Sequence, residues 1–183
     1  MNIKPDNKYI TVAQKYTEAL LQNAKNQNQV NEVFDDLKTV LTTILNSQDL
    51  KDFLEAPLVS VKDKQDVLTQ IFQNNISEYV FNLLFLLVER NRFNVFQTIF
   101  VCYEKQVDAI NNILRATVKT VIELDDDIKG RLSQKLNEKF QKNVLIDYQI
   151  DSSLIAGLVV QIDDKVIDAS LATKFEKMKK QLV

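Results

Sequence analysis

Apolar residues recur every three or four positions through the first part of the chain, then every second position. Ile10, Ala13, Tyr16, Leu20 and Ala24 share a helical spacing that predicts a first helix over Asn7–Ala24. Val30, Phe34, Leu37, Leu41, Ile44 and Leu45 form the stripe of a second, over Val30–Leu45. A short third helix holds Leu50, Phe53 and Leu54, opened by Ser47 or Asp49 and stopped by Pro57, which lacks a helical N–H. Ser60 with Asp63 resembles a capping box for a fourth, burying Val67, Leu68, Ile71 and Phe72. Ser77 is expected to cap a fifth, whose Val80, Phe81, Leu83, Leu84, Leu86 and Leu87 are apolar on almost every side. After the charged Glu89-Arg90-Asn91-Arg92, Phe93 to Asn111 reads as a sixth helix with Phe96, Ile99, Phe100, Tyr103, Val107 and Ile110 inward.

The period then changes. Leu114, Ala116, Val118, Thr120 and Ile122 alternate with their neighbours as a half-buried strand. Asp125 to Asp127 suit the positive start of another helix, with Ile128, Leu132, Leu136 and Phe140 on one stripe. Val144, Ile146, Tyr148 and Ile150 predict a second strand, Leu158–Ile162 a third and Val166–Ile167 a fourth. Asp163-Asp164 close a hairpin between the last two, and Ser170 opens a final helix with Phe175, Met178 and Leu182 inward. The fold class expected is mainly α: an N-terminal bundle of six helices over residues 1–111, then a small α+β domain over 112–183.

Composition narrows the chemistry. In 183 residues there are two glycines and two prolines, consistent with long uninterrupted helices. Two glycines 27 positions apart cannot write a phosphate loop or a dinucleotide-binding motif. Histidine, the commonest general base and zinc ligand, is missing. The single Cys102 sits in an apolar helical stretch and reads as a bystander thiol. A net charge of −2 gives no general reason for nucleic-acid binding. Asp163, Asp164 and Asp168 could approach a metal but lack a fourth oxygen donor. Lys174, Lys177, Lys179 and Lys180 lie on the polar side of the final helix, a solvated face or a surface for an acidic partner helix. No leader or membrane-spanning run is visible, the longest apolar stretch, Val80–Val88, being too short. What remains is interaction surface: the outer side of helix five could meet an amphipathic helix, and helix one carries Val12, Ala19 and Leu21 beside its main stripe.

Four stretches carry a family resemblance. IDSSLIAGLVVQIDDKVIDASL, Ile150–Leu171, resembles the pattern I-D-x-S-L-I-G-G-x-x-x-x-I-G-D-x-V-I-D-x-S. LLFLLVERNRF, Leu83–Phe93, is similar to F-L-x-L-L-x-E-N-x-R-L; KYTEAL, Lys15–Leu20, to R-Y-A-x-A-L; and FLEAPLVSVKDK, Phe53–Lys64, to F-L-x-x-P-x-I-x-x-x-x-K. These are patterns of the ATP synthase delta subunit family, whose mitochondrial counterpart is the oligomycin-sensitivity-conferring protein. Departures are Lys15 for arginine, Thr17 for alanine, Ala156 for the first glycine and Asp163 for a hairpin glycine.

The resemblance implies a non-catalytic stator subunit of a proton-translocating ATP synthase, with no cofactor, nucleic acid or small-molecule substrate. It implies that the bundle receives the N-terminal helix of an alpha subunit, using helices one and five. The C-terminal domain would meet the peripheral-stalk b subunits. Tyr16, Ala19 and Leu20 on helix one, with Leu83, Leu87, Glu89 and Arg92 at helix five, are the residues expected to face the alpha subunit. VIDASL is similar to the plastid and cyanobacterial branch, which would put the protein on the stromal side of the thylakoid; the alternative is the cytoplasmic side of a bacterial membrane. A generic helical adaptor unrelated to ATP synthase is the competing reading.

Overall fold

The computed structural model describes residues 5–154, 156–162 and 165–168. The expected Asp163-Asp164 hairpin residues, Ser170, the final helix and its lysines lie outside the described residues. The chain divides into two compact units, Met1–Val107 and Asp108–Val183.

The first unit is helical. Its helices are α1 (Ile10–Asn26), α2 (Val30–Asn46), α3 (Gln48–Glu55), α4 (Val61–Phe72), α5 (Glu78–Glu89) and α6 (Phe96–Ile110). Single 3-10 turns at Asn7–Tyr9 and Phe93–Val95 precede α1 and α6, so the first and sixth predicted helices each begin with a tighter turn. One apolar core joins all six through residues such as Ala13, Leu37, Leu54, Leu68, Leu84 and Ile99. Polar ties join α1 to α6 and the 3-10 turns that precede them. Thr17, fully buried where the family pattern has alanine, donates its hydroxyl to the Ile99 carbonyl at 3.4 Å. Asn94 Nδ2 donates to the Tyr9 hydroxyl at 2.9 Å. On α4, Lys64 is folded into the interior at 2% exposure, and burial pushes its pKa down.

Helix ends follow local chemistry. Ser47 Oγ accepts from the Leu50 N–H at the start of α3, which ends at Glu55 ahead of Pro57. Ser60 Oγ accepts from the Asp63 N–H at 3.1 Å and donates to its carboxylate at 2.8 Å. Ser77 stands at the N-cap of α5, but its hydroxyl makes no capping bond, contrary to expectation. At the far ends of α1 and α5, Asn28 and Asn91 adopt φ of 57° and 50°. In both, the N–H two residues past the cap reaches back into the last turn: Gln29 to the Ala24 carbonyl at 2.9 Å, Arg92 to Leu87 at 2.8 Å. The left-handed stop that glycine usually supplies is here given to asparagine.

The second unit holds β1 (Ile113–Thr120), α7 (Asp126–Phe140), β2 (Asn143–Ile150), β3 (Leu158–Ile162) and β4 (Lys165–Asp168). The strand order is β2-β1-β3-β4; β1 runs parallel to β2 and antiparallel to β3, and β3 antiparallel to β4. The even positions of β1, β2 and β3 pack with Leu132, Leu136 and Phe140 of α7. Gly157, at φ 97°, turns the chain into β3. Arg115 on β1 grips Asp108 through two hydrogen bonds, 2.6 and 3.1 Å.

The fold is mainly helical with a small four-stranded sheet. The apolar pattern overreaches at element ends. Leu45, Ile110, Ile128 and Ile150, read as inward, are 39%, 47%, 45% and 68% exposed. Each sits in the first or last turn of a helix or at a strand terminus, where no neighbouring element continues the core. Ile122, two residues beyond β1, is 71% exposed for the same reason.

Candidate functional site

Helices α1 and α5 are in contact, and each spends one side on the core. On α1 the buried side is Ala13, Thr17, Leu20, Leu21 and Ala24. Val12, Tyr16 and Ala19 follow one another at helical spacing on a flank; the first two are half-buried and Ala19 is exposed. On α5 the buried side is Val80, Leu83, Leu84, Leu87 and Val88. Its remaining apolar residues stay accessible: Tyr79, Phe81 and Phe85 are half-buried, and Leu86 is 38% exposed. The Phe81 and Phe85 rings lie tilted with centroids 4.6 Å apart. Glu78, Asn82 and Glu89 complete the exposed side.

The residues expected to face a partner therefore separate into two sets. Tyr16, Ala19, Glu89 and Arg92 are accessible. Leu20, Leu83 and Leu87 are core residues, with 6%, 7% and 0% exposure. They point inward because they share a stripe with Thr17 and Leu84, and a partner could touch them only by opening the bundle. Glu89 ends α5, and Arg92 caps the following 3-10 turn. The accessible apolar surface of α5 is Tyr79, Phe81, Phe85 and Leu86, none of them among the expected contacts. The signal for them was present: a helix apolar all round must turn some of that surface away from the core.

In the second unit, several side chains opposite α7 are exposed among the described residues. Arg115 on β1, Leu145 and Asp147 on β2, Gln161 on β3 and Val166 on β4 are all exposed there. Leu145 and Val166, at 44% and 60%, give this face its apolar content.

No group of three or more His, Cys, Asp or Glu among the described residues could hold a metal ion. Asp163 and Asp164 of the weighed trio lie outside them. Burial raises the Cys102 thiol pKa, with Lys105 opposing weakly, so the thiol stays protonated near neutrality. A cleft lined by Leu41, Ile44, Leu45, Phe93 and Phe96 encloses about 30 Å³, the room of a water molecule. No helix among the described residues is long and apolar enough to cross a membrane.

Comparison with known proteins gives a consistent set of matches. The family model for "ATP synthase delta (OSCP) subunit" matches residues 12–182. "ATP synthase subunit delta" of Clostridium botulinum (strain Loch Maree) is 32% identical over 175 residues, 96% of this chain and 98% of that one. The protein of the same description from Clostridium kluyveri is 33% identical over 172 residues, 94% and 95% of the two chains. A chain in the Toxoplasma gondii mitochondrial ATP synthase hexamer shares the fold with a TM-score of 0.70 at 22% identity, covering 93% of this chain and 96% of its own. A chain in the Polytomella F-ATP synthase head and rotor reaches a TM-score of 0.51 at 17% identity over 60% of this chain and 92% of its own.

Proposed function

Because the chain belongs to the ATP synthase delta (OSCP) family, it is a non-catalytic stator subunit of an ATP synthase, and we propose that it holds the head through the accessible flanks of α1 and α5. Membership sets aside the reading as an unrelated helical adaptor. The partner at α1 and α5 is the amphipathic N-terminal helix of an alpha subunit. The observation that carries this is the concentration of half-exposed apolar side chains on two touching helices: Val12, Tyr16 and Ala19 on one, Tyr79, Phe81, Phe85 and Leu86 on the other. An amphipathic helix recognises such a surface through anchors at helical spacing.

Residues 1–111 serve the alpha subunit in this reading, and residues 112–183 the peripheral-stalk b subunits. The face of the sheet opposite α7, with Arg115, Leu145, Asp147 and Val166, is the surface offered to the stalk. Together the two contacts stop the head from turning with the rotor. Nanomolar affinity, about −12 kcal/mol, is within reach of a helix-in-groove interface of ordinary size. The relatives compared above are clostridial, so the plastid and thylakoid placement suggested by VIDASL gives way to the alternative: the cytoplasmic face of a bacterial membrane, peripheral and held through the complex.

Titration calorimetry of the full chain with a synthetic alpha-subunit N-terminal helix tests the assignment. Saturable binding is expected, weakened more than about tenfold by Ala19→Arg or Leu86→Arg. Both positions are accessible, so helicity and melting temperature should change little. Absence of binding at micromolar peptide, or unchanged affinity in both variants, would overturn it. Leu83→Arg is a poor probe, because it breaks the core first.

A further inference from the structure

The start of α5 is held from outside its own sequence. The Ser77 N–H, at the N-cap, donates to Asp36 Oδ2 at 2.7 Å. Asp36 is half-buried on α2, 41 positions earlier in the chain. The Ser77 hydroxyl, which would ordinarily cap the first turn, is buried with no hydrogen-bond partner. The same is not true of α3 and α4, whose serines cap their own helices. A carboxylate at this end also meets the positive pole of the α5 dipole. The first turn it anchors carries Glu78 and Tyr79, with Phe81 one step further, so the anchored end is the end that presents accessible apolar side chains.

We infer that Asp36 is a positioning residue for partner binding: it fixes the first turn of α5 against α2, so that Tyr79 and Phe81 are presented already ordered to the docking helix. The inference rests on the alpha-subunit reading of this surface. Ordering a segment before binding removes a cost that would otherwise be subtracted from affinity. Loss of the anchor should therefore appear in affinity, and amide exchange should quicken at the first turn of α5 before the rest of the helix.

The test uses the full chain, calorimetry with the synthetic alpha-subunit N-terminal helix, and hydrogen exchange followed by mass spectrometry. Asp36→Ala should weaken binding about tenfold and speed exchange at residues 78–81. Asp36→Asn keeps an oxygen that accepts the Ser77 N–H, and should restore affinity to within about threefold of the unaltered chain. Ser47→Ala removes a comparable cap at α3 and controls for general destabilisation; its affinity should stay unchanged. Equal affinities in Asp36→Ala and the unaltered chain, or an equal loss in Ser47→Ala, would overturn the inference while leaving the docking surface standing. No binding even by the unaltered chain would remove the partner reading and this role with it; selective exchange at residues 78–81 would then show the anchor to be structural only.

Discussion

The Arg92 N–H donates to the Leu87 carbonyl at 2.8 Å because Asn91, between them, turns left-handed at φ 50°. A companion bond runs from the Asn91 N–H to the Val88 carbonyl at 3.0 Å. Together they form the stop that ends α5 and starts the chain toward α6. An L-residue other than asparagine, aspartate or glycine pays for this backbone. Asn91→Ala is expected to lower stability by about 1 kcal/mol, and Asn91→Gly to leave it unchanged or raise it by a few tenths. Urea unfolding of the two variants checks this; an alanine variant as stable as the glycine one would rule out a left-handed stop.

Two serines in like positions should answer differently to the same change. Ser60 takes the Asp63 N–H and gives its own proton to the Asp63 carboxylate, so Ser60→Ala should cost about 1 kcal/mol. Ser77 has no partner for its hydroxyl and its N–H is held by Asp36, so Ser77→Ala should be neutral or stabilising by up to about 1 kcal/mol. Denaturant midpoints read both. A cost at Ser77 equal to that at Ser60 would mean that its hydroxyl caps α5 in solution after all.

Alkaline pH should find a third feature. Tyr103 on α6 is fully buried, donates to the Val30 carbonyl at 3.2 Å, and burial raises its phenol pKa to about 12. The unfolded phenol titrates near 10. Between those values the folded chain keeps a proton that the unfolded chain releases, so stability is intact below pH 10 and falls as pH rises toward 12. Tyr103→Phe removes this contribution. Its stability should fall less steeply than the unaltered protein's across that window, while at pH 7 it should be lower by about 1 kcal/mol for the lost hydrogen bond. Parallel pH profiles for the two proteins would exclude Tyr103 as the titrating group.

Much of the architecture was legible because its signals are local. Ser47, Ser60 and Pro57 mark helix ends within four residues of what they act on, and the change of period after Asn111 announces the sheet. Asn28 and Asn91 were legible in principle, yet in a polar stretch an asparagine looks like any other loop residue until its φ is seen. The Asp36 anchor was not legible, since nothing in the sequence around Ser77 points 41 residues back. Which of the residues expected to face a partner stay accessible was only half legible. Tyr16, Ala19 and Leu20 lie in one motif and Leu83, Leu87, Glu89 and Arg92 in another, and neither motif separates the accessible flank from the core-facing stripe. Periodicity says which residues are alike; it does not say which side the rest of the chain will cover.

In the sheet, β2 and β3 each hydrogen-bond to β1, and among the described residues β2 has no other strand beside it. β1 leaves the ribosome before either of its neighbours. Its Leu114, Ala116 and Val118 must wait for α7 and for the strand beginning at Asn143 before they gain a partner, and longer still for Leu158. The helical unit, whose core contains none of these residues, is already fully synthesised by then. Synthesis therefore passes through an interval in which the completed helical unit trails an unpaired apolar strand, the stage at which such a chain is most prone to join another copy of itself.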